Sequence, residues 1–379
     1  MKRMISVLLS FLMVWGVSSA TYAAVSDDSG ATQVVENAVS AINGQDWDTY
    51  IKLQCSDNQN DFKDFLKSDA NRSNHSGLFN IKSAKIKETK QLPIQDVGMY
   101  ANISSYEEKY QELEAFLIGI DYDVFEENQY YFKGVNYRLV IVGKENGDWR
   151  IVEAQDAPIE SLIPEGYGFG SSDEQKALKI ENAKRNGLFI DSEGNTIKAN
   201  SSKSTSKVNT TNSYSVPYTI RVYRVSQKVT QEINFEYYCK NVLPNEWISS
   251  WPAESLKAGA EAVKMYGWYH VLHPKWPGLN ADVKDTTADQ VYKSGSATTA
   301  TTNAVNNVNG VGLQNSSGNI FEAQYLAGSS GSAGTQHSGK MSQYGTKYLA
   351  QNGKNYLYMC HYYYDNSDKS SGAIATFSY

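Results

Sequence analysis

Glu246 stands between Pro244 and Trp247 in the stretch NEWISSWPAESLKAGAEAVKMYGWYH, which runs from Asn245 to His270. A carboxyl group with Pro244, Trp247 and Trp251 close by in sequence is placed to lose water, and desolvation disfavours the charged form and raises the pKa. A carboxylic acid kept protonated near neutral pH can deliver a proton in a general acid step. A solvated surface carboxylate would need no such surroundings. No second carboxylate of the same kind stands out, because Glu254 and Glu261 read as helix surface residues. His270, His273 and Asp282 form a loose scatter beside a Pro-Lys-Trp loop, which reads as solvated histidines rather than a metal site.

The element that must position Glu246 follows it. Pro252 is placed to start a helix, since its missing N–H falls among donors that lack partners anyway. Glu254 in that first turn complements the positive helix end. Leu256, Ala260, Val263 and Gly267 make one face, and Ala258, Ala262, Tyr266 and Tyr269 widen it, so the helix reads as buried. Upstream, Tyr218–Val225 alternates like a strand, and EINFEYYCKNVL reads as a helix ending before Pro244. Of 27 tyrosines, 17 follow residue 213, and a tyrosine offers both ring area and a hydroxyl.

The chain as a whole divides in two. Met1-Lys2-Arg3, the apolar run Ile5–Val17 and the small residues around Ala23 read as a secretory signal peptide over 1–23. The run is shorter than the roughly 20 residues of a membrane span, so the mature protein is expected to be secreted, outside the cytoplasm. Residues 30–165 open with Val34, Val35, Ala38, Val39 and Ile42 at helical spacing, continue through a second helix over Asp61–Ser68, and then turn to strands at Ile81–Ile86, Tyr137–Val142 and Trp149–Val152, with a hairpin turn at Glu145–Asp148. Residues 166–217 form a linker with one short charged helix, Ser172–Arg185, read as solvated; the stretch Asn200–Ser215 is too polar to bury. Residues 218–379 carry 13 basic against 11 acidic side chains although the whole chain has net charge −6. That change of charge across a polar linker predicts two separate domains with no shared core. Cys55, Cys239 and Cys360 are an odd set; Cys239 and Cys360 are candidates to pair, and buried free thiols are the plainer expectation.

Three ordered motifs carry a resemblance. EYYCKNVLPNEWISSWPAESLKAGAEAVKMYGWY, DTTADQVYKSG and HSGKMSQYGTKYLAQNGKNYLYMCHYYYDN resemble, in order and spacing, the central segments of the stage II sporulation protein D family, also called the amidase-enhancer family, over about residues 218–366. The helices-then-strands layout of the first half, closing in NGDWRIVEA, resembles the NTF2-like cone. The expected fold class is α+β, with an NTF2-like N-terminal domain and a mixed α/β sporulation-protein-D-like domain after it.

The first resemblance implies peptidoglycan chemistry. Understood members are lytic transglycosylases whose catalytic acid is the glutamate of an E-M-P motif, which falls on Glu246. Such an enzyme needs no second carboxylate, because the 6-hydroxyl of the sugar attacks and a 1,6-anhydro product forms. Gln290, Tyr292, His337, Ser342, Gln343 and Tyr344 fall where sugar contacts are expected. The alternative is a non-catalytic wall-binding protein or amidase enhancer, with a cell-wall amidase as partner. No cofactor, metal or nucleic-acid partner is expected; relatives that hold a metal use cysteines around the D-T segment, where this chain has Lys284 and Asp289. Two departures stand out: Trp247-Ile248 replaces Met-Pro, and Lys340 replaces a glycine before Met341. The sequence is silent on oligomeric state.

Overall fold

The computed structural model describes residues 30–200 and 214–379. The expected signal peptide and most of the polar stretch Asn200–Ser215 lie outside the described residues. None of the described helices is long and apolar enough to cross a membrane.

The chain is α+β. Its first unit opens with α1 (Gly30–Gly44), α2 (Trp47–Leu53), α3 (Ser56–Leu66) and α4 (Asp69–Ser73). The helical spacing of Val34, Val35, Ala38, Val39 and Ile42 puts them on the buried face of α1. The second helix of the sequence reading starts at Ser56 rather than Asp61, and Phe62, Phe65 and Leu66 are its buried anchors. Next come β1 (Ile81–Leu92), α5 (Ile103–Glu107), β2 (Leu113–Val124), β3 (Gly134–Glu145) and β4 (Asp148–Asp156), paired antiparallel in the order β1-β2-β3-β4. Asn146 and Gly147, both at positive φ (54° and 89°), make the tight β3–β4 turn. Strand β2 escaped the sequence reading because it is buried on both faces and shows no alternation: Phe116, Ile118 and Ile120 pack toward α1, and Ala115 and Leu117 pack on the opposite side. The second face is covered by α5, α6 (Ile159–Leu162) and α7 (Ser172–Arg185). Helix α7 is not the solvated connector expected: Glu174, Ala177, Ile180 and Glu181 are buried. A hairpin of β5 (Leu188–Ile190) and β6 (Thr196–Ala199) ends this unit.

The second unit begins with β7 (Thr219–Arg224) and β8 (Val229–Asn234), followed by α8 (Phe235–Glu246), α9 (Ala253–Leu272) and β9 (Val283–Lys284), with the sheet ordered β8-β7-β9. Helix α9 is the axis of this unit and is buried almost throughout its length. Around it lie α10 (Thr299–Asn307), β10 (Val311–Gln314), β11 (Gln324–Leu326), β12 (Lys340–Ser342), α11 (Gln343–Gln351), α12 (Tyr356–Tyr364) and β13 (Ala375–Ser378), with β11 and β12 parallel and β10 and β13 antiparallel. Glu261, read as a surface residue, is fully buried on α9, where Lys264 Nζ meets its Oε2 at 2.8 Å. Cys55, Cys239 and Cys360 are all buried and free, and burial raises the Cys239 thiol to about 12.

The two units share a core, against the expectation of separate domains. Tyr223, Trp276, Leu279 and Ala281 of the second unit pack into the apolar cluster formed by α1, α3 and the sheet of the first. The turn at Trp276-Pro277-Gly278 closes the concave side of the first unit, and Gly77 lies so near Gly278 that a Cβ would stand 2.3 Å from the Gly278 carbonyl oxygen. Buried polar bonds cross the same boundary. Lys284 Nζ reaches Asp61 Oδ2 (2.6 Å) and Asn58 Oδ1 (3.0 Å), Lys275 Nζ meets Glu153 Oε2 (3.4 Å), and Lys369 donates to the carbonyl of Gly98. Asn200 and Tyr214, at the ends of the polar stretch, are ordered as well: Asn200 Oδ1 accepts the N–H groups of Tyr218 and Thr219, and Tyr214 is buried. The linker composition reported only the segment between these anchors, not the surfaces on either side.

One junction residue sets a pH dependence. Asp282 is buried, with Oδ1 accepting from Tyr130 O–H (3.0 Å) and Oδ2 from Arg221 N–H (2.8 Å). Burial raises its carboxyl from 3.8 to about 7 against the pull of those donors. A raised acid favours the fold when protonated, so this contribution is complete below pH 3.8 and is lost as pH rises to about 7. A shift of this size amounts to about 4 kcal/mol at most. Asp282→Asn should flatten the slope of unfolding free energy between pH 4 and 8 in denaturant titrations. An unchanged slope would show that Asp282 titrates normally.

Candidate functional site

Helix α8 carries Glu246 as its last residue. The sequence reading stopped this helix before Pro244, but the helix runs through it. A proline in the last turn removes one N–H, and the Asn241 carbonyl beside it gains the Asn245 side-chain amide (2.7 Å) and the Ser296 hydroxyl (3.0 Å). Trp247 then turns the chain out of the helix into extended backbone. Its indole is buried, donates from Nε1 to Thr346 Oγ1 (3.0 Å) and lies over Gly259, where a Cβ would stand 2.5 Å from the ring. Gly259 on α9 is therefore the notch that lets Trp247 dock. Trp247 holds this loop by burial where a proline would hold it by fixing φ, while Ile248 in the next position is exposed.

The Glu246 carboxyl is half-buried and sits among neutral donors. Val291 N–H donates to Oε1 (2.8 Å), Gln343 Nε2 donates to Oε2 (3.2 Å), and the Tyr325 phenol hydrogen-bonds the same carboxyl. Burial raises its pKa above the ordinary carboxylate value, and the three donors act in the opposite direction. The result is an acid shifted upward whose conjugate base already has its hydrogen bonds in place.

Tyr325 is the member of this group that the sequence reading missed. It lies in β11, in register with Met341 of β12, and its ring packs edge-on against Trp247 with centroids 5.0 Å apart. Gln290 Nε2 donates to its hydroxyl oxygen (3.2 Å), and Tyr238 O–H donates to Gln290 Oε1 (2.9 Å). A buried relay therefore runs from Tyr238 through Gln290 and Tyr325 to Glu246. Three strand residues at Gln324–Leu326 give little periodicity, and the only local signal is the glycine- and serine-rich run that follows.

The other sequence-selected residues fall into different places. Gln343 touches Glu246 directly, whereas Gln290 is fully buried and reaches it only through Tyr325. Tyr344 packs on Trp251 at 5.0 Å between centroids, beside the loop after Glu246. Ser342 is buried as the N-cap of α11, accepting Gly345 N–H at 2.9 Å. Tyr292 is buried, stacked on Tyr238 (5.4 Å) with the Arg224 guanidinium over its face (4.9 Å). His337 is exposed at positive φ (58°); its backbone N–H donates to the Tyr362 carbonyl (2.8 Å) and its ring Nδ1 meets the Asp365 carbonyl. The positive-φ turn before Met341 is made by Gly339 (69°), and Lys340 reaches instead to Asn102 Oδ1 of the first unit (2.6 Å).

The remaining carboxylates of this region are engaged elsewhere. Glu254 binds Lys257 Nζ (2.7 Å) and accepts the Tyr356 N–H at the start of α12 (2.9 Å). Asp289, fully buried, takes Tyr266 O–H (3.0 Å), Trp276 Nε1–H (2.6 Å), Lys284 N–H (2.6 Å) and Lys275 (3.1 Å). Burial works to raise its carboxyl, but Lys275 and the other donors hold it below the ordinary value. The D-T segment is thus tied down by a carboxylate, in the stretch where the sequence offered no cysteines. His270 and His273, expected to be solvated, are both buried, His270 between Glu322 Oε1 (3.1 Å) and the His273 carbonyl (3.2 Å).

Residues 223–314, from β7 to β10, match the family described as Stage II sporulation protein (SpoIID). That segment of the chain is similar to the stage II sporulation protein family. The match includes α8, Glu246 and all of α9. An uncharacterized protein of Brachyspira hyodysenteriae is 44% identical over 70 residues, a match spanning 18% of this chain and 19% of that protein. The first unit and β11–β13 lie outside the family match.

Proposed function

We propose that this protein is an extracytoplasmic, cell-wall lytic transglycosylase that cuts peptidoglycan glycan strands between N-acetylmuramic acid and N-acetylglucosamine. The observation that carries the reading is the carboxyl of Glu246, a residue of the family-matching segment, raised by burial and held by Val291 N–H of the same segment and by Gln343 and Tyr325 from beyond it. Protonated Glu246 gives its proton to the glycosidic oxygen as the bond from C1 to that oxygen breaks. The carboxylate left behind is stabilised by its three donors and takes the proton of the muramic acid 6-hydroxyl as O6 attacks C1. Atoms balance without water, and the product ends in a 1,6-anhydro sugar. One carboxylate performs both transfers. The half-buried Tyr344 and the exposed Ile248 and Tyr237 offer contact surface for sugar rings.

The test is incubation of the purified full mature chain with peptidoglycan, both intact and stripped of stem peptides, followed by mass spectrometry of released material. Release of 1,6-anhydromuramic ends supports the reading. Reducing ends instead of anhydro ends would make the protein a hydrolase, and no release combined with stimulation of a cell-wall amidase would replace the enzyme with an enhancer.

Tyr325 supplies a finer expectation. Tyr325→Phe keeps the ring against Trp247 but removes the phenol from both Glu246 and Gln290, so the Glu246 pKa should rise further. The alkaline fall of kcat/KM should move to higher pH, and kcat should drop roughly 10-fold, within the range of acid–base effects. An unchanged pH profile would show that the phenol does not act on the acid.

A further inference from the structure

Outside this site, and apart from Asp282 with its neutral donors, the buried carboxylates at the junction are matched to cations among the described residues, with Glu160 and Glu181 standing out. Asp156 has Arg138 and Lys184, Asp289 has Lys275, Asp61 has Lys284, and Glu322 has Lys369 and His270. Lys369, His270 and Lys275 overcome the burial that would raise Glu322 and hold its carboxyl at about 2. Glu160 and Glu181 share a single imidazole, that of His273. His273 Nε2 is 3.2 Å from Glu160 Oε1, and Nδ1 is 3.3 Å from Glu181 Oε1. The side chains are 8%, 8% and 2% exposed for Glu160, Glu181 and His273. Glu160 Oε2 is buried with no hydrogen-bond partner and Glu181 Oε1 has none beyond its 3.3 Å approach to His273, while Glu181 Oε2 accepts the Glu160 backbone N–H at 3.2 Å.

Two charges explain why this arrangement is incomplete by itself. Even with His273 doubly protonated, the three side chains keep a net charge of −1 out of water, and unpaired buried charge is costly. A divalent cation with a neutral imidazole brings the group to zero and gives the buried carboxylate oxygens that lack a hydrogen bond a cation to bind. One ligand atom from each residue lies within 4.8 Å of the others. A zinc ion bound at about 2.1 Å wants ligand atoms about 3.4 Å apart, so small rotations of two glutamate side chains close the set.

We propose that Glu160, Glu181 and His273 form a structural site for a borderline divalent metal, zinc foremost, at the junction of the two units. One imidazole and two carboxylates suit zinc, manganese, iron or cobalt in the divalent state, with water completing the shell. The ligands come from three elements: Glu160 from α6, Glu181 from α7 and His273 from the C-cap of α9. Bound metal therefore ties α6 and α7 of the first unit to the far end of α9, the helix whose first turn follows the Glu246 loop. The site takes no part in the proton transfers assigned to Glu246, and its presence does not depend on them.

The test uses the full mature chain, stripped with chelator, loaded with zinc and desalted. One equivalent of zinc should be retained, its X-ray absorption should show imidazole nitrogen and carboxylate oxygen without sulfur, and Tm should rise with zinc concentration by mass action. Glu181→Gln keeps an acceptor for the Glu160 N–H and should lose the retained zinc and the Tm response. His273→Gln should do the same, and His361→Ala, at a half-exposed histidine beside Asp365, should keep both. Retention undiminished in Glu181→Gln and His273→Gln, or a stripped wild type that retains neither zinc, manganese nor cobalt, overturns the site. Should both variants fail to fold, the wild-type stoichiometry and ligand spectrum decide it.

Discussion

Glu246→Gln should fold as the wild type does and release almost no anhydro sugar, a loss of about 10²- to 10⁴-fold in turnover. The substitution keeps the length and shape of the side chain, so its carbonyl oxygen still accepts from Val291 N–H, and a rotated Gln343 amide satisfies the other end. What disappears is the proton. Wild-type kcat/KM should fall on the alkaline side of a pKa lying above the ordinary carboxylate value, because burial raises Glu246 and only its protonated form can start the reaction. Glu254→Gln is the matched control eight residues on. It weakens a partly exposed pair with Lys257 and a cap on α12, so it should cost about 1 kcal/mol of stability or less and little activity. A Glu246→Gln protein that cleaves at the wild-type rate would remove the residue from the chemistry and leave it as a structural acceptor for Val291 and Gln343.

What made Glu246 visible in the sequence was local: two tryptophans, a proline and a helix start within a few residues. The same locality explains what was legible in the fold. The faces of α1 and α9 follow from spacing along one helix, and the β3–β4 turn from two residues that tolerate positive φ. What escaped was set by distant partners. Strand β2 is apolar on both faces because helices cover one side and α5, α6 and α7 the other, so no alternation marks it. Tyr292 and Ser342 stand in polar, motif-bearing stretches, yet the folded chain uses one as a stacked core ring and the other as a helix cap. Tyr325 reaches Glu246 only because β11 lies beside β12. The histidines read as solvated are buried because the surfaces over them belong to α6, α7 and the segment just before β11 that carries Glu322, each far away in the chain.

The polar stretch between the units misleads for the same reason, and the consequence is large. A fragment starting near Tyr214 should fail to fold as an isolated monomer. Removing the first unit would expose Tyr223, Tyr269, Trp276 and Leu279, all buried in the full chain. At roughly 1.5–3 kcal/mol for each large apolar side chain, the loss is on the order of 6–12 kcal/mol, comparable to the whole stability of an ordinary domain. The polar side fares no better: Lys275, Lys284 and Lys369 give up Glu153, Asp61 and the Gly98 carbonyl together. The turn at Trp276-Pro277-Gly278 leads through Ala281 to the D-T segment, whose Asp289 is bound by Trp276 itself, so disorder there spreads to Val291, the N–H donor of Glu246. Circular dichroism, size exclusion and amide dispersion of the fragment check this, with aggregation or a non-cooperative melt expected. A monomeric fragment with dispersed amides and a cooperative melt would show that the second unit holds its own core and that the shared cluster is a docking surface between independent domains.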